Sequence, residues 1–174
     1  MTYELIGPPQ IVALLVLIQR GVEEIHSARN MGVLRARGRR EEGRKYYPVV
    51  AVVHLSWIAS LFLLIPADAR VLWPLIGLYF FLQAARYWVI VTLGPYWTHR
   101  IITIDEAPII DAGAYRYLKH PNYAIAIAEA VLLPSAFSAV ALALIMTAIW
   151  AVVLNYKIHL ENEALAKRYR RAAK

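Results

Sequence analysis

Residues 71–93 read VLWPLIGLYFFLQAARYWVIVTL, a run in which Arg86 is the only charged side chain. As a helix rising 1.5 Å per residue it would extend about 34 Å, enough to cross a hydrocarbon core of roughly 30 Å. Its apolar residues are continuous rather than alternating, which favours a helix over a barrel strand. Four further apolar runs flank it. Residues 5–25 form an imperfect one, crowded at its end by Gln19, Arg20, Glu23 and Glu24. Residues 47–66 form another. A fourth begins at Pro121 and is interrupted at Pro134-Ser135 after about a dozen residues, which suits a tilted segment or one arm of a tight hairpin. The fifth covers residues 136–156. The expected fold class is an all-α integral membrane protein with about five transmembrane helices.

Composition agrees. Of 174 residues, 60% are hydrophobic, and the mean hydropathy is +0.47, above the usual range of soluble domains. Length suggests a single membrane domain over residues 1–174. Within it, residues 1–93 would supply three N-terminal helices with a basic loop. Residues 94–174 would supply a core with a helical hairpin and a short C-terminal helix. Cysteine is absent, so disulfides and thiolate metal sites are excluded. Met1-Thr2-Tyr3-Glu4 lacks the basic start of a cleavable signal, and no small-residue cleavage site follows the first run.

The net charge of +7 is concentrated between the apolar runs. Arg29, Arg35, Arg37, Arg39, Arg40, Arg44 and Lys45 follow the first run. Arg100, Arg116 and Lys119 follow the third. Lys157, Lys167, Arg168, Arg170, Arg171 and Lys174 follow the fifth. The other two connections carry only Arg70. With five crossings, every basic connection falls on one face, which the positive-inside rule makes cytoplasmic. The N-terminus is then outside and the C-terminus inside. Charge placed in this way points to membrane lipids as partners rather than nucleic acid, and no obligate protein partner is implied.

Gly113-Ala114-Tyr115-Arg116-Tyr117-Leu118-Lys119-His120-Pro121-Asn122-Tyr123 is a polar, aromatic, basic stretch where the chain re-enters an apolar run. Pro121 suits the first turn of a helix, where its missing N–H costs nothing. Free amides at such an end attract anions. His120 and Tyr123 are three apart and share one side of the turn. A plain helix start with an interfacial tyrosine accounts for the tetrad equally well. Lys157 and Glu161 share a helix face at i, i+4, and an exposed ion pair would explain them. Glu129 and Arg86 are intramembrane charges, costly unless paired or functional. Asn122 and Glu129 are seven apart, on one helical face. A structural Arg86–Glu129 tie between two helices is the plainer reading, with Glu129 kept as a candidate catalytic group. The five histidines are scattered, so no metal site is expected, and no glycine-rich phosphate loop is present.

Taken together, Gly113-x-Tyr115, Lys119-His120-Pro121-Asn122-Tyr123, an apolar hairpin and Glu161-Asn162-x-x-Leu165 resemble the isoprenylcysteine carboxyl methyltransferase family, over residues 92–169. The resemblance implies methyl transfer from S-adenosyl-L-methionine to a lipophilic small-molecule substrate, with the cofactor reached from the cytoplasm. It implies cofactor contacts at Ala107, Pro108, Ile109, Ile110, Tyr115, His120, Pro121, Asn122, Tyr123 and Glu161. The family's substrate-orienting arginine falls on Lys157, a candidate catalytic residue. Lys119 and Lys157 stand where the family has arginines, and Asn162 where it has a second glutamate. The segment after Leu165 lacks the usual Phe-Gly and distal Tyr elements. These departures point away from a prenylcysteine carboxylate. Asn122-Tyr123, Glu161-Asn162, the intramembrane Glu129 and the very short tail resemble a bacterial branch acting on the acidic hydroxyl of alkylpyrones or phenolic lipids, which implies a multi-pass protein of the bacterial inner membrane. Two other classes compete: a membrane reductase related to sterol reductases, whose NADPH signature is missing here, and a non-catalytic lipid-binding protein, in which Glu161 and His120 would share no role.

Overall fold

The structure is a computed structural model that describes residues 5–104 and 110–172. Helix α1 spans Pro8–Arg35 and leads into a short strand, β1, at Arg40–Glu42. A 3-10 turn at Arg44–Tyr46 opens α2, Tyr47–Leu64, and α3 follows at Trp73–Leu93. Strand β2, Ile101–Thr103, pairs antiparallel with β1, Glu41 opposite Ile102. A 3-10 turn at Gly94–Tyr96 follows α3, another at Gly113–Arg116 precedes α4, Pro121–Ala136, and α5 closes the fold at Val140–Ala172.

The helices carry their apolar residues outward. Ile18, Val52, Leu63, Phe80, Phe81, Leu144 and Val152 are exposed, whereas Arg20, Glu23, Arg86 and Glu129 are buried. A surface of this kind suits lipid rather than water. By length and composition, three helical stretches are sufficient to cross a membrane: Arg44–Leu64, Trp73–Tyr96 and Val140–Arg168. On α1 the inward positions are Ala13, Val16, Arg20, Glu23, Ser27, Asn30 and Leu34. Steps of three and four put them on a single stripe. The stripe begins at Gln10, which caps the helix by accepting from Gly7 N–H at 3.1 Å and donates to the carbonyls of Phe62 and Ile65.

Several expected boundaries move. The first helix runs ten residues past Ile25, because its inward stripe continues to Leu34. The fourth is not interrupted at Pro134-Ser135: α4 continues through Pro134 to Ala136. The reversal comes at residues 137–139, where Ser138 takes φ 62°. No separate short C-terminal helix forms. Instead α5 continues for 33 residues, about 50 Å. Its polar half is held because β1 and β2 pack against it. The two-stranded ladder is an addition to the expected all-helical fold.

The bundle has two unlike ends. At one, Ala13, Val16, Trp57, Leu61, Tyr79, Leu133 and Met146 form the main apolar core, and Leu72 N–H bonds Ala136 O at 2.8 Å. At the other end β2, the 3-10 turns at Gly94–Tyr96 and Gly113–Arg116, the start of α4 and the last half of α5 enclose a polar cleft. Helices α4 and α5 pack against each other, and Ala130 and Ala136 of α4 and Ala143 of α5 are buried, small side chains of the kind that let helices pack tightly in a lipid surrounding.

Candidate active site

The cleft depends on one tight approach. Gly113 has φ 55°, and a Cβ there would run into the Thr92 side chain and lie 3.2 Å from Trp88 Nε1. Glycine therefore lets the 3-10 turn lie against α3 and presents Tyr115 to the cleft. Pro121 occupies the first position of α4, as its fixed φ and missing N–H favour. It is buried and does not line the cleft. Tyr123 and Ala124 N–H both donate to His120 O, at 3.1 and 3.3 Å. The helix start therefore offers fewer free amides to an anion than its sequence suggests.

His120, Tyr123 and Glu161 converge. Tyr123 donates its hydroxyl proton to Glu161 Oε2 at 2.7 Å. His120 Nδ1 lies 3.5 Å from the same oxygen. The two rings stack with centroids 5.4 Å apart and planes 19° from parallel. The hairpin thus brings residues 38 positions apart onto one carboxylate. His120 and Glu161 border a cleft of about 510 Å³, whose walls also include Leu93, Ile110, Tyr115 and Leu165. A deeper recess of about 110 Å³ shares Tyr115, His120 and Glu161 and adds Asn122, Tyr123 and Lys157. Ala107, Pro108 and Ile109 lie outside the described residues. Burial, with the Glu161 charge nearby, pushes the Tyr115 phenol above its ordinary value, so it stays a neutral hydroxyl.

The chemistry of the walls fits a ligand rich in heteroatoms. His120 Nε2, Trp97 Nε1 and Thr103 Oγ1 are shielded from solvent and have no hydrogen-bond partner among the described residues. All three residues line the recess. Leaving several polar atoms unsatisfied around one hollow is costly unless something fills it.

Lys157 is not the exposed member of a helical ion pair. It lies on the inward stripe of α5, after Met146, Trp150 and Val153, and is 9% exposed. Its Nζ donates to His99 O at 3.0 Å and sits 5.1 Å from the Tyr123 ring centroid. His99 is in turn anchored from α1, its N–H donating to Ser27 Oγ at 2.9 Å.

Glu129 does not reach the cleft. Its carboxylate accepts from Arg86 Nε at 3.1 Å, Arg20 Nη2 at 2.9 Å and Gln83 Nε2 at 2.6 Å. Arg86 Nη1 also donates to Asn122 Oδ1 at 3.0 Å. Asn122 and Glu129, on one face of α4, thus grip one guanidinium of α3. The expected Arg86–Glu129 tie is present, but Arg20 and Glu23 complete it. Their mutual pair balances the cluster at two positive and two negative groups. The sequence reading took Arg20 and Glu23 as crowding a helix end. Their steps of three and four from Ala13 and Val16 were the available signal.

The fold is that of a helical bundle with apolar outer faces, long enough in three of its described stretches to cross a membrane, and a polar cleft lined from the start of one helix and the end of the next. Residues 75–167 match the isoprenylcysteine carboxyl methyltransferase family, and the chain belongs to it. It is therefore an integral membrane protein of a methyltransferase family. An uncharacterized protein, YpbQ, of Bacillus subtilis (strain 168) is 29% identical over 159 residues, covering 89% of this chain and 94% of that protein. No solved structure matches the chain.

Proposed function

We propose that the protein is an S-adenosyl-L-methionine-dependent O-methyltransferase. Its acceptor is a lipophilic molecule bearing an acidic hydroxyl or carboxylate, such as an alkylpyrone enol, at the cytoplasmic membrane face. The observation that carries this reading is the convergence of His120 and Tyr123 on the Glu161 carboxylate, where the cleft meets its recess, in a chain of this family. A cleft of about 510 Å³ is within the size range of small-molecule sites.

When bound, the cofactor supplies an electrophilic methyl group on a sulfonium. The protein's residues hold, orient and exclude water. Glu161 accepts hydrogen bonds from ligand hydroxyl or amino groups, and the spare Nε2 of His120 provides a further polar contact. Ile110, Leu93 and Leu165 give an apolar lining for a flat ring. Lys157, at the bottom of the recess, offers an ammonium to the acceptor oxygen. An acidic enol or carboxylate arrives with its proton already lost, so no strong base is needed. Transfer from such a sulfonium would exchange a sulfur–carbon bond for an oxygen–carbon bond, so the residues' main task would be to position the acceptor oxygen. Glu129 acts at one remove, through Arg86, in setting the Asn122 turn.

The membrane reading places five crossings with the N-terminus outside and the basic end in the cytoplasm. The gathering of the basic loops at one end of the bundle supports it.

Incubating the purified protein with methyl-labelled cofactor and a bacterial lipid extract is expected to label a lipid-soluble product. NADPH binding with no methyl transfer and no affinity for the cofactor would overturn the proposal. Lys157→Met is expected to lower kcat by about 100-fold while cofactor affinity changes less than about threefold, as for a group that acts on the acceptor alone. Calorimetry and single-turnover transfer separate the two effects, and an unaltered kcat would remove Lys157 from the mechanism.

A further inference from the structure

The end of α1, the β1–β2 ladder and the 3-10 turn before α2 enclose a second hollow, of about 420 Å³, lined by Met31, Arg35, Arg39, Glu41, Arg44 and Arg100. It shares no residue with the cleft or its recess except Arg100, at its rim. The geometry points to this hollow as a binding site for a phosphate group, at the depth where the apolar part of α2 begins.

Four guanidinium groups face one carboxylate. That carboxylate is already committed, since Glu41 Oε1 accepts from Arg100 Nη1 at 2.7 Å. Arg100 is held on its other side by the Tyr47 ring, 4.4 Å from the centroid. The ladder supplies the rigidity: Glu41 pairs with Ile102, two residues after Arg100. Arg35, Arg39 and Arg44 form no ion pair among the described residues. Arg39 Nη1 is moreover shielded from solvent and has no hydrogen-bond partner among the described residues. Arg39 is half-buried and Arg35 and Arg44 are exposed, so a shielded donor and two solvent-facing guanidinium groups meet at one hollow, an arrangement that an anion would satisfy.

The residue type narrows the class of anion. A loop that only fixed topology would work with lysine or arginine alike. Here the basic positions lining the hollow are all arginine, and the neighbouring Lys45 is not among them. Planar guanidinium forks match the paired oxygens of a phosphate, which an ammonium meets only as a point charge. The phosphate has two sources, the headgroup of an anionic phospholipid or free phosphate from the cytoplasm. Neither source depends on the methyltransferase reading.

The test uses the full chain in neutral detergent, probed separately with phosphatidylglycerol, phosphatidylcholine and inorganic phosphate. Native mass spectrometry reads retained lipid and thermal unfolding reads stabilisation. The variant R39K/R44K keeps net charge and topology signals while removing two forks. R39Q/R44Q removes the charge as well. Monodisperse elution checks that each folds. Wild type is expected to retain phosphatidylglycerol over phosphatidylcholine by about tenfold, and R39K/R44K to lose most of that preference. Stabilisation by phosphatidylglycerol alone identifies the headgroup as the source. Stabilisation by inorganic phosphate at millimolar concentration identifies the free anion. If a folded R39K/R44K keeps the full wild-type preference, the effect is diffuse surface charge and the site is overturned. Binding of neither probe by the wild type overturns it too.

Discussion

Glu161→Ala is expected to weaken S-adenosyl-L-methionine binding by at least about 100-fold while the protein stays folded in detergent. A single oxygen of Glu161 receives the Tyr123 hydroxyl at 2.7 Å and faces His120 Nδ1 at 3.5 Å. Removing the carboxylate frees both side chains and deletes an acceptor from the cleft wall. Hydrogen bonds to a charged group contribute about 1.5–3 kcal/mol each, so losing two accounts for the size of the effect. Glu161→Gln keeps an acceptor for Tyr123 but not the charge, and should lose about tenfold. Calorimetry gives the affinities, and a melting curve in the same detergent shows whether the fold survives. Glu161 sits where α5 is already polar and partly exposed, so the fold should survive. Wild-type affinity in the alanine variant would place the cofactor elsewhere.

Removing Glu129 should act on stability instead. Its two oxygens accept from both Arg20 and Arg86 as well as from Gln83. Glu129→Ala leaves two guanidinium groups with Glu23 as the remaining carboxylate partner, among helices whose outer faces are apolar. Breaking a buried pair on one side typically costs about 3–5 kcal/mol, because the orphaned charge remains. Arg86→Met alone is expected to be nearly as damaging, since it also releases Asn122. The double variant Glu129→Ala with Arg86→Met removes one charge of each sign and leaves the Arg20–Glu23 pair balanced. It should be more stable than the sum of the singles by about 2 kcal/mol or more. Denaturant titration in detergent measures all four proteins. Additive losses would mean that the groups act independently and that no charge-balanced cluster holds α1, α3 and α4 together.

The sequence made the α2 and α3 apolar runs, the α4–α5 hairpin and the His120-Pro121-Asn122-Tyr123 helix start legible, because each depends on neighbours along the chain. The pairing of that start with Glu161 was legible through a resemblance of spaced motifs rather than through geometry. Three features were not. The β1–β2 ladder is only three residues on each side, and Arg40–Glu42 is entirely charged, so no alternation marks it. The continuation of α5 through Ala172 depends on packing against that ladder. The roles of Arg20 and Glu23 depend on which way α1 faces.

By itself the sequence determined that this is a helical membrane protein with a basic end, and which residues gather at the re-entry point. Hydropathy, proline placement and charge asymmetry are local properties that need no fold to act. Only the tertiary structure decided what those residues do for one another. Glu129 lies in a buried charge cluster rather than the cleft, because three helices bring two arginines and a glutamine to its carboxylate. Lys157 lies inward, against His99 rather than in solvent, because the stripe that packs α5 continues past the apolar run. A charged side chain has its meaning set by the partners within a few ångströms, and those come from distant parts of the chain.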